Sequence, residues 1–392
     1  MRLDKPRLPV RIADSAEELQ ILINSLGAVE QVAIDAERAS GFRYSQKAYL
    51  IQIAIRDQGI WLLDPVSGVD LADLIAPLNS KTWLLHAATQ DLPCLAELGF
   101  HPSALIDTEL TARIAGLERV GLGSVCEVLL EIELAKEHSA ADWSQRPLTQ
   151  EMLDYAALDV DVMFELWEAL EKLIDESGKS SWLQQEFTHL LDFKPKPPLE
   201  EPWRGLPGLS RIKDLPKLKI AASLHAVRDG IAIEKDIAPG RLIPDRSIMA
   251  AVNQAPKSRS ELANNKEFQG RASRTLLSIW WDAIAQSPGL EISIEPVEKG
   301  NGIPNHKSWE RRFPEAHHRL EVVRPMVLEL ASELKIPVEN LLTPDYLRRV
   351  CFEPQEDVAA QLSSFGARDW QIELVTTVIQ KGLLQAAQPQ SA

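Results

Sequence analysis

Short apolar runs alternate with helical patterns along the first 180 residues of the chain. Runs rich in β-branched and aromatic residues predict strands over residues 31–36, 50–56, 59–63 and 83–86. Between the second and third of these runs, Asp57-Gln58-Gly59 is typical of a hairpin turn. An antiparallel hairpin inside an alternating strand and helix pattern predicts an α/β domain with a mixed sheet.

Helical patterns cover much of the remaining sequence. Ser15 and Glu18 have the spacing of a capping box that opens a helix ending near Leu26. Further helices are predicted over residues 71–78, 92–98, 108–114 and 125–130, with one long helix over 149–177. Four prolines within residues 192–202 cannot continue a helix and predict a stiff linker. The predicted division is a first domain over 1–192, the linker over 193–202, and two all-helical domains over 203–285 and 305–384.

Composition narrows the class of protein. The chain has 392 residues, 45% hydrophobic and 25% charged, which is typical of globular proteins and excludes a collagen-like or disordered chain. No apolar run reaches the roughly 18 residues of a membrane span, and the charged start lacks the apolar core of a signal peptide. The three cysteines are too few for a disulfide framework. We therefore expect a cytoplasmic protein with no membrane partner.

The net charge of −15 is unevenly distributed. Residues 1–193 carry a net charge of −17 and residues 275–392 a net charge of −5, whereas residues 194–274 carry +7. A basic segment between acidic ones indicates that the middle of the chain contacts a polyanion. Each of its basic side chains has a solvated helix surface as the simpler alternative. The candidate phosphate contacts are Lys213, Lys217, Lys219, Arg228, Lys235, Arg241 and Arg246.

Two carboxylates lie two residues apart in the first predicted strand. Because side chains alternate along a strand, Val32 and Ile34 share one face, and Asp35 and Glu37 share the other. Burying both charges is costly unless a cation compensates them. The alternative is that the strand ends at Ile34 and both acids lie in a solvated loop.

Three further polar positions follow. Asp91 comes at a helix start after the fourth predicted strand, where simple capping is the alternative to a site role. Tyr155 and Asp159 share one helix face at i, i+4 spacing, and the alternative there is an amphipathic helix with solvated acids, as expected for Asp161. His86 either contacts nucleic acid or closes its strand through one hydrogen-bonded ring nitrogen.

Together, these positions resemble the DEDD exonucleases that have a tyrosine in the third motif, and among them the ribonuclease D family. Asp35-Ala-Glu37 matches the first motif, Asp91 the second, and Tyr155 with Asp159 the third. The resemblance covers residues 1 to about 190. Residues 203–283 resemble the helicase and RNase D C-terminal (HRDC) domain, and residues 320–380 resemble a second, degenerate copy. Residues 38–44 depart from the bacterial form. Supporting matches are residues 50–52, 86–87 and 142–148.

The resemblance implies a ribonuclease H-like 3′–5′ exonuclease domain followed by helical HRDC-type domains. It also implies an exoribonuclease that trims RNA, tRNA precursors included. Asp35, Glu37, Asp91 and Asp159 form an all-oxygen donor set, which suits two Mg²⁺ or Mn²⁺ ions rather than zinc. Tyr155 is then the residue that orients the attacking water. The alternatives are an exonuclease acting on single-stranded DNA and a catalytically inactive RNA-binding scaffold.

Overall fold

The first part of the chain is a six-stranded sheet with helices on both faces. The computed structural model describes residues 1–135, 141–268, 270–294 and 302–388. The strands are β1 (Arg2–Leu3), β2 (Val10–Ala13), β3 (Gln31–Arg38), β4 (Ala48–Ile55), β5 (Gly59–Leu63), β6 (Thr82–Leu85), β7 (Ala104–Asp107) and β8 (Glu133–Leu134). The helices of this part are α1 (Ala16–Leu26), α2 (Ala72–Asn79), α3 (Leu92–Ala96), α4 (Thr108–Ala115), α5 (Leu122–Leu129), α6 (Gln150–Asp161), α7 (Met163–Ser177) and α8 (Ser180–Leu191).

The sheet is mixed, as predicted. Its strand order is β2-β5-β4-β3-β6-β7, in which β4 runs antiparallel to β3 and β5 and the other pairs are parallel. The predicted hairpin turn joins β4 to β5. Strand β1 pairs separately with β8. The predicted α/β fold with a mixed sheet, followed by helical segments, is therefore confirmed.

Two apolar layers enclose the sheet. On one face, residues such as Ala33 and Leu50 pack with helices α5, α6 and α7. On the other face, residues such as Val32 and Ile53 pack with α1, α2 and α3. The alternation of Val32 and Ala33 between the two layers follows directly from the period of a strand. Both faces of β3 are thus covered, and polar side chains on it lie between packed layers.

The prediction of a single long helix over residues 149–177 is wrong. The chain forms α6 and α7, with a break at Val162. The break coincides with a contact from a distant residue: the Arg7 guanidinium donates to the backbone carbonyl and to the side chain of Asp161, the last residue of α6. The expectation that Asp161 is solvated is also wrong, since its side chain is buried in this ion pair. A local sequence pattern contains no signal of a partner 154 residues away.

The rest of the chain is helical. Residues 193–201 are exposed for almost all of their length and contain no helix or strand. The next helices are α9 (Leu215–Lys235), α10 (Pro239–Leu242), α11 (Asp245–Gln254), α12 (Arg259–Ala263), α13 (Arg271–Thr275) and α14 (Leu277–Gln286). The last are α15 (Trp309–Arg312), α16 (Pro314–Glu333), α17 (Val338–Leu341), α18 (Pro344–Phe352), α19 (Val358–Ser364) and α20 (Asp369–Ala386).

Each helical group has its own apolar core. Trp203, Leu224 and Trp280 lie in the core of α9–α14. Trp309 and Ile379 lie in the core of α15–α20. Within the described ranges, none of the helices has the length and apolar character needed to cross a membrane.

Helices α9 and α10 contact the loop that follows β3. The carboxylate of Asp236, the residue after α9, accepts hydrogen bonds from the backbone N–H groups of Tyr44 (3.1 Å) and Ser45 (2.8 Å). Arg241 of α10 donates to the Gly41 carbonyl and stacks its guanidinium over the Phe42 ring at 3.9 Å. We call these contacts the loop contact. The loop contact joins the basic helical group to the strand that carries Asp35 and Glu37.

The last helical group packs against α8. Trp182 of α8 stacks on Trp370, with the ring centroids 4.8 Å apart. Glu186, which is buried, accepts hydrogen bonds from the Arg368 guanidinium and from the Trp370 indole N–H. The Nζ of Lys179, before α8, donates to the Leu334 carbonyl. The apolar core of the last group therefore continues into α8.

A chain that ends at Asp192 is expected to keep its sheet but to lose stability. Truncation exposes Trp182, and losing the burial of one large aromatic side chain costs about 2 kcal/mol, enough to lower Tm by roughly 5 °C. Differential scanning fluorimetry measures the loss of stability. Light scattering measures the self-association expected of the exposed aromatic surface. Trp182→Gln is the matched control: it should reduce self-association in the short chain but lower Tm in the full chain. A short chain as stable as the full chain would contradict this account of α8.

Candidate active site

Strand β3 brings two of the predicted site residues together. It extends to Arg38, so Asp35 and Glu37 lie inside a paired strand, and the alternative of a solvated loop is wrong. Asp35 is paired with Gln52 of β4 and Glu37 with Leu50. The intervening Ala36 packs into the opposite layer. The two carboxylates therefore project from the same face of the sheet, as the strand period predicts.

The turn after β6 places Asp91. Ala87 adopts a left-handed conformation, with φ of 63°. Both Ala87 and Ala88 donate their backbone N–H groups to the carboxylate of Asp107, at 3.0 and 2.9 Å. Asp91 then precedes α3, but its side chain makes no capping hydrogen bond. The capping alternative is therefore wrong, and the buried carboxyl group of Asp91 lies in the lining of a pocket.

Helix α6 contributes Tyr155 and Asp159. It begins after Thr149, whose side chain accepts a hydrogen bond from the backbone N–H of Met152. Tyr155 and Asp159 lie one turn apart on the face that meets β3, and a hydrogen bond joins the phenol to the carboxylate. Both side chains line the same pocket as Asp35.

The three elements converge on one acidic pocket of about 370 Å³. Oxygen atoms of Asp35, Glu37 and Asp159 all lie within 4.8 Å of one another. Asp91 lies beside Asp35, and a hydrogen bond joins their two carboxyl groups. The structure thus brings together all five residues that the sequence predicts for the chemistry. Their individual roles remain predictions.

Burial and mutual repulsion make these carboxylates hard to ionise together. Desolvation raises the pKa of Asp35 to about 6. Desolvation, with repulsion from neighbouring acids, raises the pKa of Glu37 to about 10. The pKa values of Asp91 and Asp159 are raised well above the usual range, mainly by burial and then by the charge of Asp35. Without an added cation, the cluster as a whole therefore retains protons at neutral pH, although Asp35 is largely ionised.

The donor set fits divalent metal ions. Carboxylate oxygens are the ligands that Mg²⁺ and Mn²⁺ prefer, and the described lining of the pocket contains several carboxylates but only one lysine or arginine, Arg38. Gln52 adds a polar group: its side chain is fully buried on the strand beside Asp35, and neither amide atom has a hydrogen-bond partner among the described residues. An acidic cluster with too little internal positive charge is suited to cations.

His86 lies at the edge of the pocket. Its Nδ1 is 2.9 Å from the Thr108 hydroxyl, in agreement with the strand-closing alternative. Burial lowers the pKa of His86 to about 4, so the ring is neutral at pH 7. A neutral imidazole is a weaker phosphate contact than a cation, and nucleic-acid binding by His86 remains a prediction.

The basic side chains predicted to contact phosphate differ in how accessible they are. The prediction that Arg228 contacts phosphate is wrong, because its side chain is buried and donates to Asp245 and to the Ile243 carbonyl. A basic side chain in a helix can serve the core as well as solvent, and the pattern does not distinguish the two. Lys219 donates to the Pro288 carbonyl, and Arg241 is engaged in the loop contact. Lys213, Lys235 and Arg246 are exposed, and Lys217 is half-buried.

Sequence reasoning missed three polar residues at this site. Asp107 positions the turn that leads to Asp91, and its only sequence signal is an acid directly before the start of α4. Gln52 is within a matched segment, but nothing in the pattern indicates an unpartnered amide. Arg38 lies among residues that depart from the family pattern, and its guanidinium is in the pocket.

Comparison with known proteins assigns the family. A family model described as a 3′–5′ exonuclease matches residues 10–175, an HRDC domain model matches residues 217–284, and a model described as a 3′ to 5′ exonuclease C-terminal domain matches residues 302–383. Ribonuclease D of Zymomonas mobilis is 33% identical over 269 residues, which cover 66% of this chain and 67% of that relative. The chain belongs to the ribonuclease D family.

Membership of the ribonuclease D family places the chain among the 3′–5′ exoribonucleases, which are hydrolases. A solved protein structure from Bifidobacterium adolescentis is 34% identical and has a TM-score of 0.88, with 98% of this chain and 99% of that chain covered. The structure of Escherichia coli RNase D is 21% identical, covers 97% of this chain and all of that chain, and has a TM-score of 0.71. The second likeness shows that the two proteins share a fold over 97% of this chain.

Proposed function

We propose that this chain uses two Mg²⁺ or Mn²⁺ ions to remove nucleotides from the 3′ ends of structured RNAs, tRNA precursors among them. The observation that carries the proposal is the convergence of Asp35, Glu37 and Asp159 within 4.8 Å of one another, with Asp91 hydrogen-bonded to Asp35. Membership of the ribonuclease D family supports RNA as the substrate.

The four carboxylates divide between two metal positions in the proposal, and Asp35 is shared by both. Asp35, Glu37 and Asp159 would hold one ion, and Asp35 with Asp91 would hold the second. Divalent ions held there would supply Lewis acidity for the attacking water, the scissile phosphate and the leaving 3′-oxygen. The carboxylates themselves give up the protons that they hold in the metal-free protein, and they supply the negative charge that attracts the ions.

Tyr155 orients the attacking water. Burial, followed by repulsion from Asp159 and other acids, raises the pKa of Tyr155, so its phenol stays protonated at neutral pH. The hydroxyl is hydrogen-bonded with Asp159. A protonated phenol retains lone pairs that can accept a hydrogen bond from water. Tyr155 therefore positions the attacking water and does not abstract a proton from it.

The net-basic helical part, α9–α14, binds the RNA away from the cleaved 3′ end. The sheet part repels a polyanion overall, whereas residues 194–274 are net basic. We propose residues 1–192 as the catalytic domain, 193–202 as the linker, 203–285 as the nucleic-acid-binding domain, and 305–384 as a degenerate HRDC-type domain. The separate apolar cores of the sheet part and of α9–α14 support this division.

Neutralising the four basic side chains of residues 203–285 that are exposed or half-buried and were predicted to contact phosphate is expected to weaken binding of RNA and to reduce its salt dependence. Each lost single-strand phosphate contact should lower the slope of log affinity against log salt by about 0.7. Fluorescence anisotropy at several salt concentrations measures this slope. A control with the same charge change in the catalytic domain should leave the slope unchanged, and equal slopes for both would contradict RNA binding here. The test substitutions to Gln are at Lys213, Lys217, Lys235 and Arg246; the control ones are at Lys5, Arg11, Lys81 and Lys172.

Digestion of end-labelled substrates tests the function as a whole. The full chain is incubated with a 5′-labelled tRNA precursor that has a 3′ extension, and with single-stranded DNA of the same sequence, in Mg²⁺, in Mn²⁺ and in EDTA. We expect stepwise shortening of the RNA from its 3′ end, with both metals or one of them, and none in EDTA. Preference for DNA would instead make the chain a DNA exonuclease, and binding without digestion would make it an inactive scaffold.

A further inference from the structure

Arg38 lies at an irregular point of β3. Strict alternation places Arg38 on the opposite face of the sheet from Glu37. The pairing register with β4 shifts between these two residues, where Glu37 is paired with Leu50 but Arg38 with Ala48. Such an irregularity changes the direction of a side chain. Both Glu37 and Arg38 line the acidic pocket as a result.

The guanidinium of Arg38 has no hydrogen-bonded partner in the described part of the chain. Its closest acid is Asp91, with Nη2 and Oδ1 3.9 Å apart, which is beyond hydrogen-bond distance. About a quarter of the Arg38 side chain is exposed. His86, the other basic side chain of the lining, is neutral at pH 7. Arg38 is therefore the permanent positive charge among the described residues of the pocket lining, and its donors are available.

We infer that Arg38 binds the scissile phosphate of the substrate, an inference that rests on the proposed nuclease function. A guanidinium presents planar, paired N–H donors that match two non-bridging phosphate oxygens. The otherwise acidic pocket must accept an anionic group, and the position of Arg38 beside Asp91 is on the side proposed for the second ion. Hydrolysis leaves this phosphate on the released nucleoside 5′-monophosphate. Arg38 should therefore recognise the monophosphate product but not the nucleoside.

A purely structural role for Arg38 makes a different prediction. If Arg38 served to hold Asp91 in place, its removal would disturb that carboxylate and weaken metal binding. If Arg38 binds phosphate, its removal takes a positive charge away from the metal site, so metal binding should be unchanged or tighter. Direct Mn²⁺ titration of the protein distinguishes the two roles.

Calorimetric binding of AMP and of adenosine to the Mg²⁺-loaded full chain tests the inference. Arg38→Gln is expected to weaken AMP binding about tenfold, the value of one charge-assisted hydrogen-bonded contact, and to leave adenosine binding unchanged. Arg38→Lys, which keeps the charge but not the planar donors, should lose less AMP affinity. Arg11→Gln is the matched control, because Arg11 is an exposed arginine of β2 that is paired with Glu18.

Three results would overturn the inference. They are a loss of AMP affinity no larger than in Arg11→Gln, an equal loss for adenosine, and weakened Mn²⁺ binding in Arg38→Gln. Failure of the proposed function is separate, since it would appear as a wild-type chain that degrades no RNA. A wild-type chain that degrades RNA, together with Arg38→Gln binding AMP normally, rejects only the role of Arg38.

Discussion

Asp35→Asn should reduce the rate of RNA shortening by on the order of 10³-fold or more, with little change in RNA affinity. An Asp35 oxygen lies within 4.8 Å of Glu37 and Asp159 oxygens, and the Asp35 carboxyl group is hydrogen-bonded to Asp91. Asparagine keeps the shape of the side chain but removes the negative charge that both proposed ions require. Single-turnover digestion of a 5′-labelled RNA measures the rate, and anisotropy measures the affinity.

Two further variants provide comparisons for the rate of Asp35→Asn. Tyr155→Phe should cost less, roughly tenfold to a hundredfold, because the carboxylates remain and only the water loses a partner. Asp154→Asn is the matched control: its carboxylate is on α6 beside Tyr155, but it accepts a hydrogen bond from Gln150 outside the pocket lining. Near-normal turnover in Asp35→Asn would show that the acidic pocket is not the catalytic site.

Metal removal should abolish activity and should also make stability depend on pH. The pKa of Asp35 is raised from an ordinary 3.8 to about 6, and that of Glu37 from 4.5 to about 10. The folded metal-free protein therefore holds protons that the unfolded chain has released. Because the folded state binds more protons, its free energy of unfolding falls as pH rises from about 4 through 6, and further toward 10 for Glu37.

Bound divalent ions should reverse this trend. We expect the Tm of the EDTA-treated protein to be lower at pH 8 than at pH 5.5, on the order of 5 °C, and Mn²⁺ to restore more of it at pH 8. Scanning fluorimetry at both pH values measures the effect. The double variant Asp35→Asn with Glu37→Gln should have a flatter pH response and a weaker response to Mn²⁺. Equal stabilisation by Mn²⁺ at both pH values, or undiminished RNA digestion in EDTA, would contradict the metal site.

Local patterns predicted the parts of the site that local geometry determines. The alternation in β3 places Asp35 and Glu37 on one face, and the i, i+4 spacing in α6 does the same for Tyr155 and Asp159. Asp91 could not be assigned from its position alone, because the same position suits a helix cap. It is the absence of a capping hydrogen bond in the structure that excludes that alternative.

Long-range contacts determine what the sequence could not predict. The end of α6 coincides with a contact from Arg7, and the burial of Arg228 depends on Asp245 and on how α9 packs. The orientation of Arg38 depends on a register shift between two strands. The first two outcomes depend on contacts between separate segments, and the third depends on an irregular strand pairing. Neither kind of cause produces a periodic pattern within one segment of the sequence.

The loop contact changes what the proline-rich segment has to do. Asp236 and Arg241 hold residues 41–45 directly, so the placement of the basic helices comes from this docking and not from the stiffness of residues 193–201. The connecting segment then serves to keep the two surfaces at a high effective concentration. Effective concentration falls only slowly with tether length, with a cost of about 0.6 kcal/mol for each doubling. The length of this segment is therefore free to vary, whereas residues 41–45 and Asp236 must change together.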